Sequence, residues 1–199
     1  APRKTATSPY GNTKQMCEDI IRDAIVSYHD FSAILLRYFN PIGAHPSAMI
    51  GELPKGVPNN LVPFVTQTAA GIRKELSVFG DDYPTPDGSC IRDYIYVVDL
   101  AKAHVKAMQR LLSGANKQEC EIFNLGTGNG VSVLELLHTF MQATGINVPY
   151  KIVGRRIGDI TQVWANSSLA EKELDWKAET PLADVLNSAW KWEKKVRGI

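Results

Sequence analysis

Phe31-Ser32-Ala33-Ile34-Leu35-Leu36-Arg37-Tyr38-Phe39, followed by Asn40-Pro41, is the stretch that decides the fold class. Apolar residues fill most positions rather than alternate ones, so the run reads as a strand buried on both faces, as in a parallel sheet. Asn40-Pro41 ends it. A helix precedes it: Ser8-Pro9 offers a cap and a first-turn proline, and Tyr10 to Tyr28 continues from there. At about 100° per residue, Tyr10, Lys14, Cys17, Ile21, Ala24, Ile25 and Tyr28 share one face. Asn12, Gln15, Asp19, Arg22, Asp23 and His29 lie opposite. The spacing predicts an amphipathic helix whose inward stripe begins with a Tyr and a Lys.

Downstream, helix and strand signals alternate. Gly43 to Pro58 is a loop, Asn60 to Ile72 a helix with Pro63 in its first turn, Leu76 to Phe79 a strand, and Gly80 to Ser89 an exposed turn. Ile91 to Val98 is extended, and Asp99 to Leu112 is a helix closed by Gly114, with Asp99 placed to cap it. Glu121 to Leu125 is a strand. Ser132-Val133-Leu134-Glu135 is a capping box opening a helix to Thr144, stopped by Gly145. Tyr150 to Val153 is a strand, and Ser167 to Asp175 and Pro181 to Val196 are helices. This alternation gives an α/β fold with parallel pairing.

Composition narrows the function classes. The 199 residues carry 22 Lys and Arg against 21 Asp and Glu, a net charge of +1, so there is no whole-chain basic field for nucleic acid. No apolar run reaches transmembrane length, and the start, Ala1-Pro2-Arg3-Lys4-Thr5-Ala6-Thr7, has no signal-peptide core. Cys17, Cys90 and Cys120 are odd in number and far apart, which favours a reducing, cytoplasmic setting. His29, His45, His104 and His138 show no metal-ligand spacing, and no metal site is expected.

Tyr10 and Lys14 are four residues apart on one helix face. An ammonium near a phenol favours the phenolate, one way to make a Tyr exchange protons near neutral pH. Taken alone, the pair also reads as plain helix surface. Arg92-Asp93 reads equally as a surface pair, and Arg155-Arg156 as a solvated turn. Gly126-Thr127-Gly128-Asn129-Gly130 lies between a strand and a helix, but its Gly spacing is wrong for a dinucleotide fingerprint.

Several ordered motifs change that weighing. They are Ser8-Pro9-Tyr10-Gly11-Asn12-Thr13-Lys14, Arg37-Tyr38-Phe39-Asn40-Pro41-Ile42-Gly43, Pro58-Asn59-Asn60-Leu61, Arg92-Asp93-Tyr94-Ile95, Asn124-Leu125-Gly126 and Arg155-Arg156-Ile157-Gly158-Asp159. With them the chain resembles the extended short-chain dehydrogenase/reductases, and within these the UDP-glucose 4-epimerase family. The resemblance implies interconversion of UDP-glucose and UDP-galactose through a 4-keto sugar, with tightly bound NAD. It implies Tyr10 as the base at the sugar 4-hydroxyl and Lys14 as its partner and a cofactor contact, with Phe39 also on the cofactor. It places Arg92 and Arg156 on the substrate diphosphate, with Asn40, Asn60 and the Leu61 backbone beside them. Asp159 falls on the ribose, and Ser77 and Phe79 border the uracil. Val163 matches a position that sets sugar size, which extends the expected substrates to N-acetylated UDP-hexosamines. A homodimer is the family's common state.

The resemblance also implies that residues 1–45 and 91–130 are the remaining, last parts of a doubly wound Rossmann-like sheet. Residues 46–90 and 131–199 are then mainly a smaller α/β substrate domain. The family's Gly-rich fingerprint has no match here, so the expectation is the C-terminal portion of a longer chain, cut before Ala1. Alone it would hold no NAD, turn over no substrate and expose an apolar sheet face. The competing readings are another nucleotide-sugar epimerase or dehydratase, such as a UDP-glucuronate epimerase, and a non-catalytic UDP-sugar-binding module.

Overall fold

The computed structural model describes residue 6, residues 8–28 and residues 30–199. His29 and most of the opening stretch thus lie outside the described residues. The elements are α1 (Pro9–Ser27), β1 (Ala33–Tyr38), β2 (Asn40–Ile42), α2 (Leu61–Ala69), β3 (Leu76–Phe79), β4 (Ile91–Arg92) and β5 (Tyr94–Tyr96). They continue with α3 (Val97–Leu112), β6 (Cys120–Leu125), β7 (Val131–Ser132), α4 (Val133–Thr144), β8 (Tyr150–Val153), α5 (Ser168–Leu174) and α6 (Leu182–Arg197).

The described strands form four two-stranded ladders. β1 with β6, β2 with β5 and β3 with β8 are parallel, and β4 with β7 is antiparallel. The fold is therefore α/β with crossover connections, as the alternation predicts. The stretch expected to end at Asn40-Pro41 differs: the chain leaves β1 at Phe39 and pairs again at once as β2, whose Ile42 is opposite Tyr96. Proline lacks a donor but fits a short edge strand, so Pro41 does not stop the pairing.

Local signals set the helix ends. The Ser8 hydroxyl accepts from the Gly11 N–H at 3.1 Å, with Pro9 next to it. In α4 the Ser132 hydroxyl accepts from the Glu135 N–H at 3.0 Å, and Glu135 reaches back to the Ser132 N–H, closing the capping box. The helix stops at Gly145 in the left-handed region, φ 70°. α2 ends at Ala69, short of Ile72, because Gly71 takes φ 73° and turns the chain away. α3 begins at Val97, and Asp99 is not its cap but sits buried in its first turn. There the Asp99 carboxylate accepts from the Thr180 hydroxyl at 2.7 Å and pairs with Lys102.

Two buried apolar groups hold the molecule. One joins α2, β3, α4 and α6 through Val65, Val78, Leu136, Leu137, Phe140 and Leu186. The other joins β5, α3, β6 and α5 through Ile95, Ala103, Phe123, Leu125, Ala170 and Leu174, with Trp176. Ala170, Leu174 and Trp176 thus pack against β6, although they lie within 131–199. Beside this second group Arg110 grips Glu121 with two bonds, 2.6 and 2.8 Å, both side chains being about nine-tenths buried. The guanidinium holds the Glu121 carboxyl below its ordinary pKa.

α1 keeps Ile21, Ala24 and Ile25 of its predicted face inward but not Tyr10, Lys14, Cys17 or Tyr28. Ile25 is buried, and Gly11, Gln15, Glu18, Ile21 and Arg22 are half-buried, whereas Tyr10, Lys14, Cys17 and Tyr28 are exposed. The cause is a charge on the neighbouring strand: Arg37 of β1 donates to both Glu18 oxygens at 2.7 Å and draws that side of the helix down. The contact lowers the Glu18 carboxyl from its ordinary pKa, chiefly through the hydrogen bond from Arg37.

Candidate functional site

Five stretches far apart in sequence meet around one cavity near the carboxyl ends of β1 and β3, the side on which ligands of open α/β sheets bind. β2 supplies Asn40, and the turn into α2 supplies Pro58, Asn60 and Leu61. β3 supplies Ser77 and Phe79, β4 supplies Arg92, and the segment after β8 supplies Arg156 and Asp159. They enclose a cavity of about 440 Å³. Eight residues singled out from the sequence are therefore brought together: Asn40, Asn60, Leu61, Ser77, Phe79, Arg92, Arg156 and Asp159.

The wall is cationic. Arg92 and Arg156 are its guanidiniums, and Asp159 is the one carboxylate among the described lining residues. Arg156 grips Asp159 with Nε to Oδ2 at 3.0 Å and Nη2 to Oδ1 at 3.2 Å. Arg92 Nη2 lies 3.6 Å from the same carboxylate. Arg92 Nη1 donates to the Ile91 and Ile160 carbonyls at 2.8 and 2.7 Å, tying β4 to the segment after β8. The Arg156 guanidinium lies over the Phe79 ring, 4.8 Å from its centroid. Planar guanidiniums on a diphosphate and an aromatic face beside them suit a nucleoside diphosphate. Asn60 does not point freely into the space: its Nδ2 donates to Glu52 at 2.7 Å.

Sequence reasoning missed Cys90, Tyr94 and Phe64, which also line the cavity. Burial raises the Cys90 thiol and the Tyr94 hydroxyl above their ordinary pKa values. The only signal for these was their place beside Arg92 or one turn beyond Asn60. Arg155, one residue before Arg156, faces elsewhere: it pairs with Asp82 at 2.6 Å and covers the Tyr83 ring at 4.1 Å.

Four expected site residues lie off this cavity. Tyr10 is 73% exposed, and the Lys14 ammonium sits 5.2 Å from the centre of its ring, over the face and not at the hydroxyl. Phe39 is half-buried and links the end of β1 to Asn40, its N–H donating to Leu125 at 3.3 Å. Val163 is half-buried beside β4, its N–H donating to the Ile91 carbonyl at 3.2 Å, and it does not line the cavity.

The 126–130 turn is occupied from within. The fully buried Asp93 carboxylate accepts from the Thr127 N–H and hydroxyl at 2.9 and 2.8 Å, from the Gly128 N–H at 3.2 Å and from the Ala165 N–H at 3.0 Å. A Cβ at Gly126 would collide with that carboxylate, which is why a glycine stands there. Its amides therefore face a carboxylate, not a phosphate. A larger groove of about 1610 Å³ runs between the 43–52 loop and α3. Its Lys102 and Lys106 are already paired with Asp99 and Asp175, at 3.1 and 3.0 Å. The smaller cavity is thus the better anion site, because its guanidiniums outnumber its carboxylate.

Fold and cavity together define an α/β protein with a cationic ligand pocket at the carboxyl ends of its strands. Residues 2–126 match the NAD dependent epimerase/dehydratase family, and the chain belongs to it. It is 53% identical over 189 residues to a UDP-glucose 4-epimerase of Dictyostelium discoideum, covering 95% of this chain and 54% of that one. It is 50% identical to a UDP-glucose 4-epimerase of Bacillus subtilis, over 94% of this chain and 55% of that one. A UDP-glucose 4-epimerase structure from Stenotrophomonas maltophila, with bound NAD and formylated UDP-arabinopyranose, is 48% identical. It superposes at TM-score 0.94 over all of this chain and 58% of that one. One from Bifidobacterium longum, in complex with NAD+ and UDP, is 48% identical with TM-score 0.90, over 98% of this chain and 57% of that one. The chain spans about half the length of the curated relatives it matches.

Proposed function

We propose that the protein acts in the interconversion of UDP-glucose and UDP-galactose at C4, through a 4-keto sugar. The observation that carries this reading is the convergence of Arg92, Arg156, Asn40 and Phe79 on one cavity. The relatives with bound UDP and UDP-sugar support it. In this reading Arg92 and Arg156 hold the diphosphate, Asn40, Asn60 and the Leu61 backbone add hydrogen bonds beside it, Asp159 binds the ribose, and Phe79 and Ser77 border the base. Residues 1–45 and 91–130 would serve the cofactor, and 46–90 and 131–199 mainly the substrate.

The family name implies NAD. The phenol of Tyr10 and the ammonium of Lys14, together on one exposed face of α1, suit its nicotinamide ribose. The 126–130 turn does not suit its diphosphate, since Asp93 takes those amides. Bound NAD supplies oxidation and re-reduction at C4. Tyr10 takes and returns the proton of the sugar 4-hydroxyl, and Lys14, on the same helix face, contacts the cofactor beside it.

The reading keeps N-acetylated UDP-hexosamines as second substrates through the size of Val163. Normal UDP-galactose turnover with no N-acetyl turnover contradicts that part. It also includes a cytoplasmic setting, supported by three free cysteines, and a homodimer, supported by the exposed Met16, Ile20 and Val26 of α1. The test of the main reading is UDP-galactose turnover and NAD content of the native protein. Turnover with bound NAD supports it; UDP binding without NAD or turnover supports a binding module instead.

A further inference from the structure

We propose that Asp159 is a placeholder for the substrate diphosphate, holding the two guanidiniums together until the anion displaces it. This rests on the reading of the cavity as a UDP-sugar site. Two opposed demands meet at this carboxylate. Two guanidiniums aimed into one small cavity repel each other, and a buried unpaired charge is costly. Asp159, its side chain 15% exposed, answers both, with a two-bond grip on Arg156 and a longer contact to Arg92. These two-bond and fork geometries are the ones a phosphate oxygen would use. Anion and carboxylate therefore compete for the same donors.

The segment carrying Asp159 has the freedom to yield them. It follows the end of β8, has no regular structure from Gly154 to Ile160, and turns at Gly158 with φ 85°. Ile157, between the two partners, is fully exposed, and the turn is closed by one long backbone bond, Asp159 N–H to the Arg156 carbonyl at 3.3 Å. Arg92 stays bonded to the Ile160 carbonyl, so the far end remains anchored while the carboxylate turns. Once released, Asp159 is free to accept from a ribose hydroxyl of the arriving nucleotide. The exchange makes anion binding pull the segment across the cavity.

The test is calorimetric titration of the intact native protein with inorganic pyrophosphate and with UDP, before and after Asp159→Asn. Asparagine keeps the shape and removes the charge. Pyrophosphate is expected to bind about tenfold tighter to the variant, since a competitor and a like charge are both gone. UDP is expected to gain less than threefold, because its ribose loses a carboxylate acceptor. Asp159→Ser repeats the measurement with a smaller side chain should the first variant fold poorly. Unchanged or weaker pyrophosphate binding in a variant that still binds UDP overturns the placeholder role alone. Failure of the unsubstituted protein to bind UDP overturns the cavity reading, and the placeholder with it.

Discussion

The cavity and the Tyr10 face of α1 make opposite use of their charged residues. In the cavity each charge has a partner: Arg92 and Arg156 meet Asp159, and Arg156 also covers Phe79. On α1 the Tyr10 and Lys14 side chains stand in solvent and touch each other only ring to ammonium. One region gathers its cationic donors around a carboxylate. The other carries the phenol and the ammonium proposed for proton transfer, both exposed to solvent. Binding and chemistry are therefore separable, and substitutions in the two regions should fail in different ways.

The largest expected effect breaks chemistry alone. Tyr10→Phe in the native protein should lower turnover by about 10²- to 10⁴-fold, the usual worth of a general base. UDP affinity should stay within twofold, which titration calorimetry checks. Loss of UDP binding in that variant would merge the two regions and break the comparison. Next, Arg92→Ala should weaken UDP binding by about 30-fold or more, since a charge-assisted phosphate contact and the tie to Ile160 go together. NAD content should not change.

A third substitution lies outside both regions. Arg110→Ala leaves the buried Glu121 without its guanidinium. It should cost about 2–3 kcal/mol of stability, read as a lower denaturant midpoint, with UDP affinity unaltered in the folded fraction.

The smallest effect is a pH dependence confined to α1. Contact with Arg37 lowers the Glu18 carboxyl in the folded protein. Its stabilisation is therefore fully present above the ordinary Glu pKa and is lost as pH falls through the lowered folded value. Hydrogen-exchange protection factors in α1, corrected for the intrinsic rate, should fall below about pH 4.5. α4 should keep its protection at the same pH. Equal loss in both would show that Glu18 and Arg37 do not hold α1 separately.

What could be read from the sequence was mostly local. The Ser8-Pro9 start, the Ser132–Glu135 capping box and the Gly145 stop depend on a few adjacent residues, and all appear as expected. β2 could not be read that way, because Asn40-Pro41 signals a stop until Tyr94 to Tyr96 arrives beside it. Glu18 of α1 faces inward to meet Arg37, nineteen residues on, so periodicity alone found Ile21, Ala24 and Ile25 but misplaced Tyr10, Lys14 and Cys17. Asp99 shows the same limit: its partner Thr180 is remote in sequence, so a first-turn acid looked like a cap. The cavity residues were legible through family resemblance, not through spacing. Cys90 lies outside every motif and Tyr94 stands in the Arg92 motif without an assigned role, and only the fold shows them lining the same wall.

The most direct test is a structure of the protein with UDP bound. The account predicts the diphosphate between Arg92 and Arg156, the uracil against Phe79 and Ser77, and Asp159 turned from the arginines toward the ribose. UDP seated instead in the groove between the 43–52 loop and α3, with the Arg156–Asp159 pair intact, would contradict it.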